Sequence, residues 1–357
     1  MKRNLLVCCV AVVLLCMGGF LFSGCDVLEG ADYQLEFATF WPHEDFQVAE
    51  GHKAWAEEIE KRVEEETEYT LEFNWSYGGE LLGADEIYEG IADGSADIGT
   101  TCPSYTPGVF PVTEAFELPG LNNDNALVSS MVIQEAYETY PLLQEEYEDV
   151  EVMHFWATGP GDLITKERVE SLEDLQGMDI RVAGGSVPVM EELGAVPVTM
   201  GMDESYTNLE QGIVEGILSP TDVLVGFQLA EVTSYITKTP YLYNITFMKV
   251  MNPDTWDNLP QEVQQIFREV NEGYTYEYGA LRAEHTELGQ EVGVEEYGME
   301  IIELDPEEEE RWLEEIEPIQ DQWMEEAEEE GLPGEEIMDL VRELDEKYSD
   351  EYGDYDF

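Results

Sequence analysis

The chain has 357 residues, 82 of them Asp or Glu against 15 Lys or Arg, for a formal net charge of −67. Such a surface repels phosphate backbones and anionic lipid headgroups, which excludes nucleic-acid binding and electrostatic docking on a membrane. A hydrophobic fraction of 43% still supplies a core for one large or two ordinary domains. The acid excess therefore reads as halophilic adaptation, because at ~1 M salt a screening length of about 3 Å relieves the self-repulsion.

The amino terminus opens with Met1, Lys2 and Arg3, runs apolar from Leu5 to Phe22, and reaches Ser23, Gly24 and Cys25. A positive end, an apolar stretch that enters the translocon, and small residues before a cysteine form a lipobox. Residues 1–25 thus read as a lipoprotein signal peptide, with Cys25 as the lipidated first residue of the mature chain. The competing reading is a plain transmembrane anchor, since ~18 apolar residues are marginally enough to span a bilayer. No basic stop-transfer cluster follows; Asp26, Glu29 and Asp32 do, and residues 26–32 form an acidic tether. Cys8, Cys9 and Cys16 leave with the signal, so the mature chain keeps Cys102 as its one unmodified thiol. That leaves no disulfide framework and no cysteine zinc site.

Residues 34–40 alternate as a strand, and Trp41, Pro42 and His43 end it and start a loop. Trp55, Ile59 and Val63 at four-residue spacing predict a helix, and a second strand follows from Tyr69 to Trp75 before a turn at Gly78 and Gly79. This strand–helix–strand rhythm predicts an α/β fold with crossover connections. Tyr88 to Asp97 is echoed by Tyr206 to Glu215: each reads as a helix ending at a glycine suited to a left-handed cap, then a short buried strand. One such unit per lobe implies two similar lobes, although helix–Gly–strand junctions are common enough to coincide by chance. Val263, Ile266, Val270, Tyr274, Tyr278 and Leu281 form a helical stripe. From Pro306 the chain is Glu-rich, but Trp312, Ile316, Ile319 and Trp323 keep an apolar face. The segment from Tyr348 to Phe357 reads as a frayed acidic tail.

Catalytic patterns are absent from the sequence. The four histidines, His43, His52, His154 and His285, make no i,i+4 pair, and no nucleophile elbow, P-loop, dinucleotide fingerprint or EF-hand loop occurs. With 82 acids, no carboxylate pair can be singled out as a general acid and base. One cation stands apart: Arg181 emerges from the apolar run around Ile180 and Val182 into the loop of Ala183, Gly184 and Gly185. There it either clamps a ligand carboxylate or pairs with a structural acid.

Taken together, several ordered motifs resemble the solute-binding proteins of TRAP (tripartite ATP-independent periplasmic) transporters, the DctP-like family. They are Tyr88 to Gly99, Tyr105 to Pro111, Leu118-Pro119, Ser171 to Arg181, Leu193 to Met200, Tyr206 to Gly216, and Asn252, Trp256 and Leu259-Pro260. The resemblance runs from about Phe37 to Leu281. It implies a two-lobed α/β periplasmic-binding-protein fold, with a ligand cleft between lobes linked by crossing strands and a long helix. Lobe I would hold 33–157 plus 246–285, lobe II 158–245 plus 286–335, and 336–357 an acidic C-terminal helix or tail. It further implies capture of a small organic acid for TRAP permease subunits; no catalytic residue, cofactor or metal ligand is singled out, and whether a metal ion assists binding is left open.

By the same resemblance Arg181 holds the place of the substrate-clamping arginine and Met202 a ligand-packing position. Leu218 and Ser219 fall where many members carry acidic or amide residues that reach a metal or a polar substrate, and Pro240 and Tyr241 fall near another polar ligand position. Gly161 stands where a second arginine is often found. Trp41, Tyr105, Trp156 and Phe227 are candidate cleft aromatics, His43 could reach ligand from the first loop, and Tyr206 belongs to the second-lobe motif. One fixed cation and apolar walls suit a monocarboxylate with an apolar or aromatic body. The alternatives are a sensory co-receptor of the same fold and a surface hydrolase using an Asp/Glu pair.

Overall fold

Alternating and β-branched runs give eleven short strands, which a computed structural model describing residues 30–121 and 124–355 arranges in two sheets. The lipobox, Cys25 and the apolar run before it lie outside the described residues. The first sheet has the order β2-β1-β3-β10-β4, from β1 (Tyr33–Thr39), β2 (Leu71–Ser76), β3 (Ile98–Thr101), β4 (Glu151–Ala157) and β10 (Thr246–Met251). β1 pairs parallel with β2 and β3, while β10 runs antiparallel between β3 and β4. The second sheet has the order β11-β9-β5-β8-β6-β7, from β5 (Asp162–Thr165), β6 (Asp179–Val182), β7 (Val196–Thr199), β8 (Gly216–Ser219), β9 (Tyr235–Thr237) and β11 (Glu300–Ile302). β6 lies parallel between β7 and β8, and β5 runs antiparallel to β8 and β9. The chain crosses between the sheets after β4, after β9, and along a long helix.

The two echoed segments occupy equivalent places. A helix at Ile87–Ala92 precedes β3, a helix at Ser205–Gln211 precedes β8, and both strands lie inside their sheets. Gly94 (φ 82°) and Gly212 (φ 71°) take left-handed conformations, which turn the chain into the strand without a Cβ clash.

Helix α1 (Lys53–Glu66) buries Trp55, Ile59 and Val63, and α2 (Ala126–Thr139) is capped by the Asn125 side chain accepting from Val128 N. The linking helix α3 (Gln261–Glu295) is 35 residues long and packs on α1, α2 and β4 before passing to the second lobe near Val223–Gly226. The Glu-rich segment is two helices, α4 (Pro306–Ile316) and α5 (Pro318–Glu330), separated where Pro318 starts a new first turn. The end of the chain differs from the frayed tail expected. Helix α6 (Gly334–Tyr352) buries Ile337, Val341, Leu344 and Tyr348 at helical spacing and packs on α2. That apolar stripe outweighs the interleaved acids. Among the described residues, no helix is long and apolar enough to cross a membrane.

Candidate ligand-binding cleft

Parallel strands deliver their carboxyl ends to one edge of each sheet, and a ligand site in an open α/β sheet forms there. Trp41 follows β1, Tyr105 follows β3, Ala183 follows β6, and Ser219 ends β8; all four line one cavity between the lobes. Met202 and Phe227 join them from the second lobe, and Tyr243, Ile245 and Phe247 from the crossover into β10.

Arg181 sits in β6, opposite Val198 and Ile217, and is only 1% exposed. Its Nε and Nη2 donate to the Met200 carbonyl at 3.1 and 2.8 Å, and Nη2 reaches the Tyr105 hydroxyl at 3.5 Å. Among the described residues no carboxylate forms an ion pair with it; the thirteen pairs present all involve other cations. A buried guanidinium hydrogen-bonded only to neutral oxygens, with Asp203 acting on it from beyond ion-pair distance, favours an anion brought from outside.

The remaining residues anticipated from the sequence divide. Trp41, Tyr105, Met202, Ser219 and Phe227 are brought together on the cavity wall. Leu218, one residue from Ser219, points to the opposite face of β8 and is fully buried in the core. Trp156 is also core, its ring 4.8 Å from Tyr278 and 5.7 Å from Phe247. His43 lies on the exposed surface, its Nε2 2.7 Å from Lys53 Nζ. Tyr206 donates to Glu231 on the second lobe at 3.1 Å. Tyr241 is half-buried with an unpartnered hydroxyl, and its neighbour but one, Tyr243, takes the cavity wall instead. At Gly161 a Cβ would lie 2.6 Å from the Tyr243 ring, so that ring fills the space beside the position where the family often carries a second arginine.

A second cation, missed from the sequence, supplies the rest of the polarity. Arg282 on α3 is 4% exposed, donates from Nη1 to Gln47 Oε1 at 2.7 Å, and pairs through Nη2 with Asp222 Oδ2 at 3.0 Å. Its guanidinium carbon lies 5.1 Å from the Phe247 ring centre. The expectation of one fixed cation is therefore corrected to two. The signal was present: Arg282 follows Tyr274 and Tyr278 at four-residue steps, on the buried face of the stripe. Asp45, Gln47 and Asp222 carry no comparable signal among so many acids.

Burial pushes the Asp45 carboxyl up to about 7; Asp222 adds to the rise, while the Gln47 amide and Arg282 oppose it. Burial likewise raises Asp222, against the pull of Arg282 and His285. Glu117 of the first lobe is pushed up to about 8 by burial, although the Ser104 hydroxyl and the Thr246 amide donate to it. A Cβ at Gly185 of the second lobe would lie 2.9 Å from its Oε2, so this group is sealed where the lobes meet.

Residues 37–327 match the family described as bacterial extracellular solute-binding protein, family 7, DctP. Among solved structures, a marine metagenome TRAP solute-binding protein specific for aromatic acid ligands, in complex with metahydroxyphenylacetate, is 26% identical with a TM-score of 0.82, covering 89% of this chain and 99% of that one. A TRAP solute-binding protein from Rhodoferax ferrireducens T118, with copurified benzoate, is 25% identical with a TM-score of 0.82, covering 89% and 98%. The C4-dicarboxylate-binding periplasmic protein DctP of Vibrio cholerae is 23% identical over 263 residues, 73% of this chain and 78% of the relative. The sheet order, the interlobe cavity and a match across most of the chain place this protein in the DctP family, as a TRAP-type extracytoplasmic receptor for small organic acids that works with membrane permease subunits.

Proposed function

We propose that the chain captures a small monocarboxylate with an apolar or aromatic body, and that Arg181 clamps the carboxylate as the lobes close. The observation that carries this reading is a guanidinium 1% exposed that, among the described residues, forms no ion pair, with Asp203 the acid that feels its charge from a distance. Phe40, Trp41, Tyr105, Phe227, Tyr243 and Phe247 surround the adjacent space, enough flat apolar surface to sandwich a ring. Benzoate and metahydroxyphenylacetate in the structural relatives have this chemistry, whereas the dicarboxylate of the Vibrio relative would need a second free cation. Arg282 is already engaged by Asp222 and Gln47. On this reading Cys25 carries the lipid that holds the receptor at the outer face of the membrane, near its permease.

Calorimetric titration in ~2 M salt with benzoate, 3-hydroxyphenylacetate and succinate tests the proposal. Two charge-assisted hydrogen bonds predict that Arg181→Met weakens the preferred aromatic acid by about 100-fold or more. Equal affinity of Arg181→Met and wild type would refute the clamp.

A further inference from the structure

Arg181, behind the Tyr105 wall of the cavity, accounts for a carboxylate, but the Phe247 side presents the opposite polarity. There Asp45, from the loop after β1, and Asp222, from the loop after β8, both line the wall with Arg282, which pairs with Asp222 and acts on Asp45 through its charge. Asp45 is 2% and Asp222 3% exposed, and both line the cavity. Asp45 Oδ1 accepts from the Gln47 amide at 2.9 Å, whereas Oδ2 accepts from no group. That oxygen lies against Gly226 of the second lobe, where a Cβ would stand only 2.2 Å away. Asp222 meets Arg282 as an ion pair, yet neither of its oxygens accepts an aligned hydrogen bond. Asp45 Oδ2 and Asp222 Oδ1 thus have neither an aligned hydrogen bond nor an ion-pair partner, and an unmet buried acceptor is expensive.

Charge bookkeeping points the same way. Asp45 and Asp222 face the one guanidinium of Arg282, so this end of the cavity carries one excess negative charge when both are ionised. A simple carboxylate would leave one uncompensated negative charge in a low-dielectric space, whereas a ligand carrying both signs would leave none. Geometry separates the two signs by an aromatic spacer: the Phe40 ring lies 5.5 Å from Tyr105, which touches Arg181, and 6.4 Å from Phe247, which carries Arg282. Among the described residues no group of three metal-ligating side chains occurs, so a bound metal ion is a poor candidate for the missing positive partner.

We propose that the cavity is built for a zwitterion: an apolar or aromatic carboxylic acid that also bears a protonated amine, with its carboxylate at Arg181 and its N–H donors at Asp45 and Asp222. This rests on the receptor reading above and makes Asp45 the residue that determines specificity. A metal ligand set is not involved, and the amine adds donors where the fold supplies none.

Two matched pairs of probes test it by calorimetry in ~2 M salt at pH 7.5: 3-(aminomethyl)benzoate against 3-methylbenzoate, and L-phenylalanine against 3-phenylpropanoate. The amine should tighten binding about 10- to 100-fold in at least one pair. Asp45→Asn should abolish that advantage, bringing each amine to the affinity of its amine-free partner in the same variant. Asp222→Asn is the second variant, with a cooperative melt as the folding control for both. If amine-free acids bind wild type as tightly as their partners in both pairs, or if 3-hydroxyphenylacetate outbinds both amines, the zwitterion proposal is overturned. In that case an effect of Arg181→Met on the amine-free acid keeps the receptor reading intact. If no acid of either kind binds, both readings fall together.

Discussion

Arg282→Met is the sharpest test of how the cleft is held together. The substitution keeps the unbranched stem on α3 and its contact with Phe247, but removes the Nη2 ion pair to Asp222 at 3.0 Å and the Nη1 bond to Gln47 at 2.7 Å. Asp222 and Asp45 would then face each other, 3% and 2% exposed, with no cation between them. Removing one partner of a buried pair typically costs about 3–5 kcal/mol, because the other charge stays buried and uncompensated. Here protonation offers relief, since Asp45 already titrates at about 7 and Asp222 is raised in the same direction. We therefore expect about 3 kcal/mol at pH 7.5, a shift of ~6 °C for a chain of this size.

The pH dependence follows by linkage. An aspartate raised in the folded state binds more protons there than in the unfolded chain, so stability falls as pH rises from the unfolded value near 3.9 through the folded one. Loss of Arg282 raises both groups further. The deficit of the variant should accordingly be small near pH 5 and largest above pH 7.5. Differential scanning calorimetry at three pH values, in one salt concentration, reads it. A deficit of the same size at pH 5 and pH 8, or none at all, would show that the guanidinium does not compensate these carboxyls.

Lys249→Met should stabilise the protein by about 1–4 kcal/mol at pH 7, because the amine is fully buried in β10 with no hydrogen-bond partner, its Nζ 3.7 Å from the Trp55 ring centre and no acid paired with it. Burial lowers this amine well below the usual lysine range, so the wild type gains stability as pH rises toward ~10.4 and the advantage of methionine should shrink; a calorimetric gap that grows from pH 7 to pH 9.5 contradicts the assignment. Cys25→Ser should release the protein from the membrane fraction into the soluble one, and retention of the variant in washed membranes would return Leu5–Phe22 to the role of a transmembrane anchor.

Features set by local chain chemistry were readable in advance. Period-two alternation placed β1, the Trp55–Ile59–Val63 spacing placed α1, and Gly94 and Gly212 announced the helix–strand junctions that each lobe repeats. Arg181 was legible because a lone cation between apolar residues is anomalous in any strand. What stayed hidden depends on long-range burial. Asp45 becomes a cleft group only because the loop after β1 is pressed against Gly226, some 180 residues later, and the sequence marks it no differently from exposed Glu44. Parity was also lost at the ends of short strands: Leu218 and Ser219 were both candidates, and the pleat of β8 sends one into the core and the other to the cavity. Trp156 was misplaced for the same reason, since β4 is covered by α3 on one face and the residue's aromatic character says nothing about which face it takes.

Burial also divides the 82 acids into two populations with different responses to salt. Among the described residues, only Asp45, Glu117, Asp162, Asp222 and Asp345 are buried, and the first, second and fourth stand where the lobes meet. The exposed majority repel one another through solvent, and raising salt from ~0.1 to ~1 M shortens the screening length from about 10 to about 3 Å. The melting temperature should therefore climb steeply over that range. Buried pairs lie out of reach of counterions, so the gap between wild type and Arg282→Met should be nearly the same at both salt concentrations once pH is fixed. Melts of the two proteins side by side at ~0.1, ~0.3 and ~1 M NaCl decide the matter. A gap that closes in parallel with the rise of the wild type would mean that Arg282 and Asp222 are wetted and screened. The cleft's polarity would then be an extension of the acidic surface and not a separate device for reading a ligand.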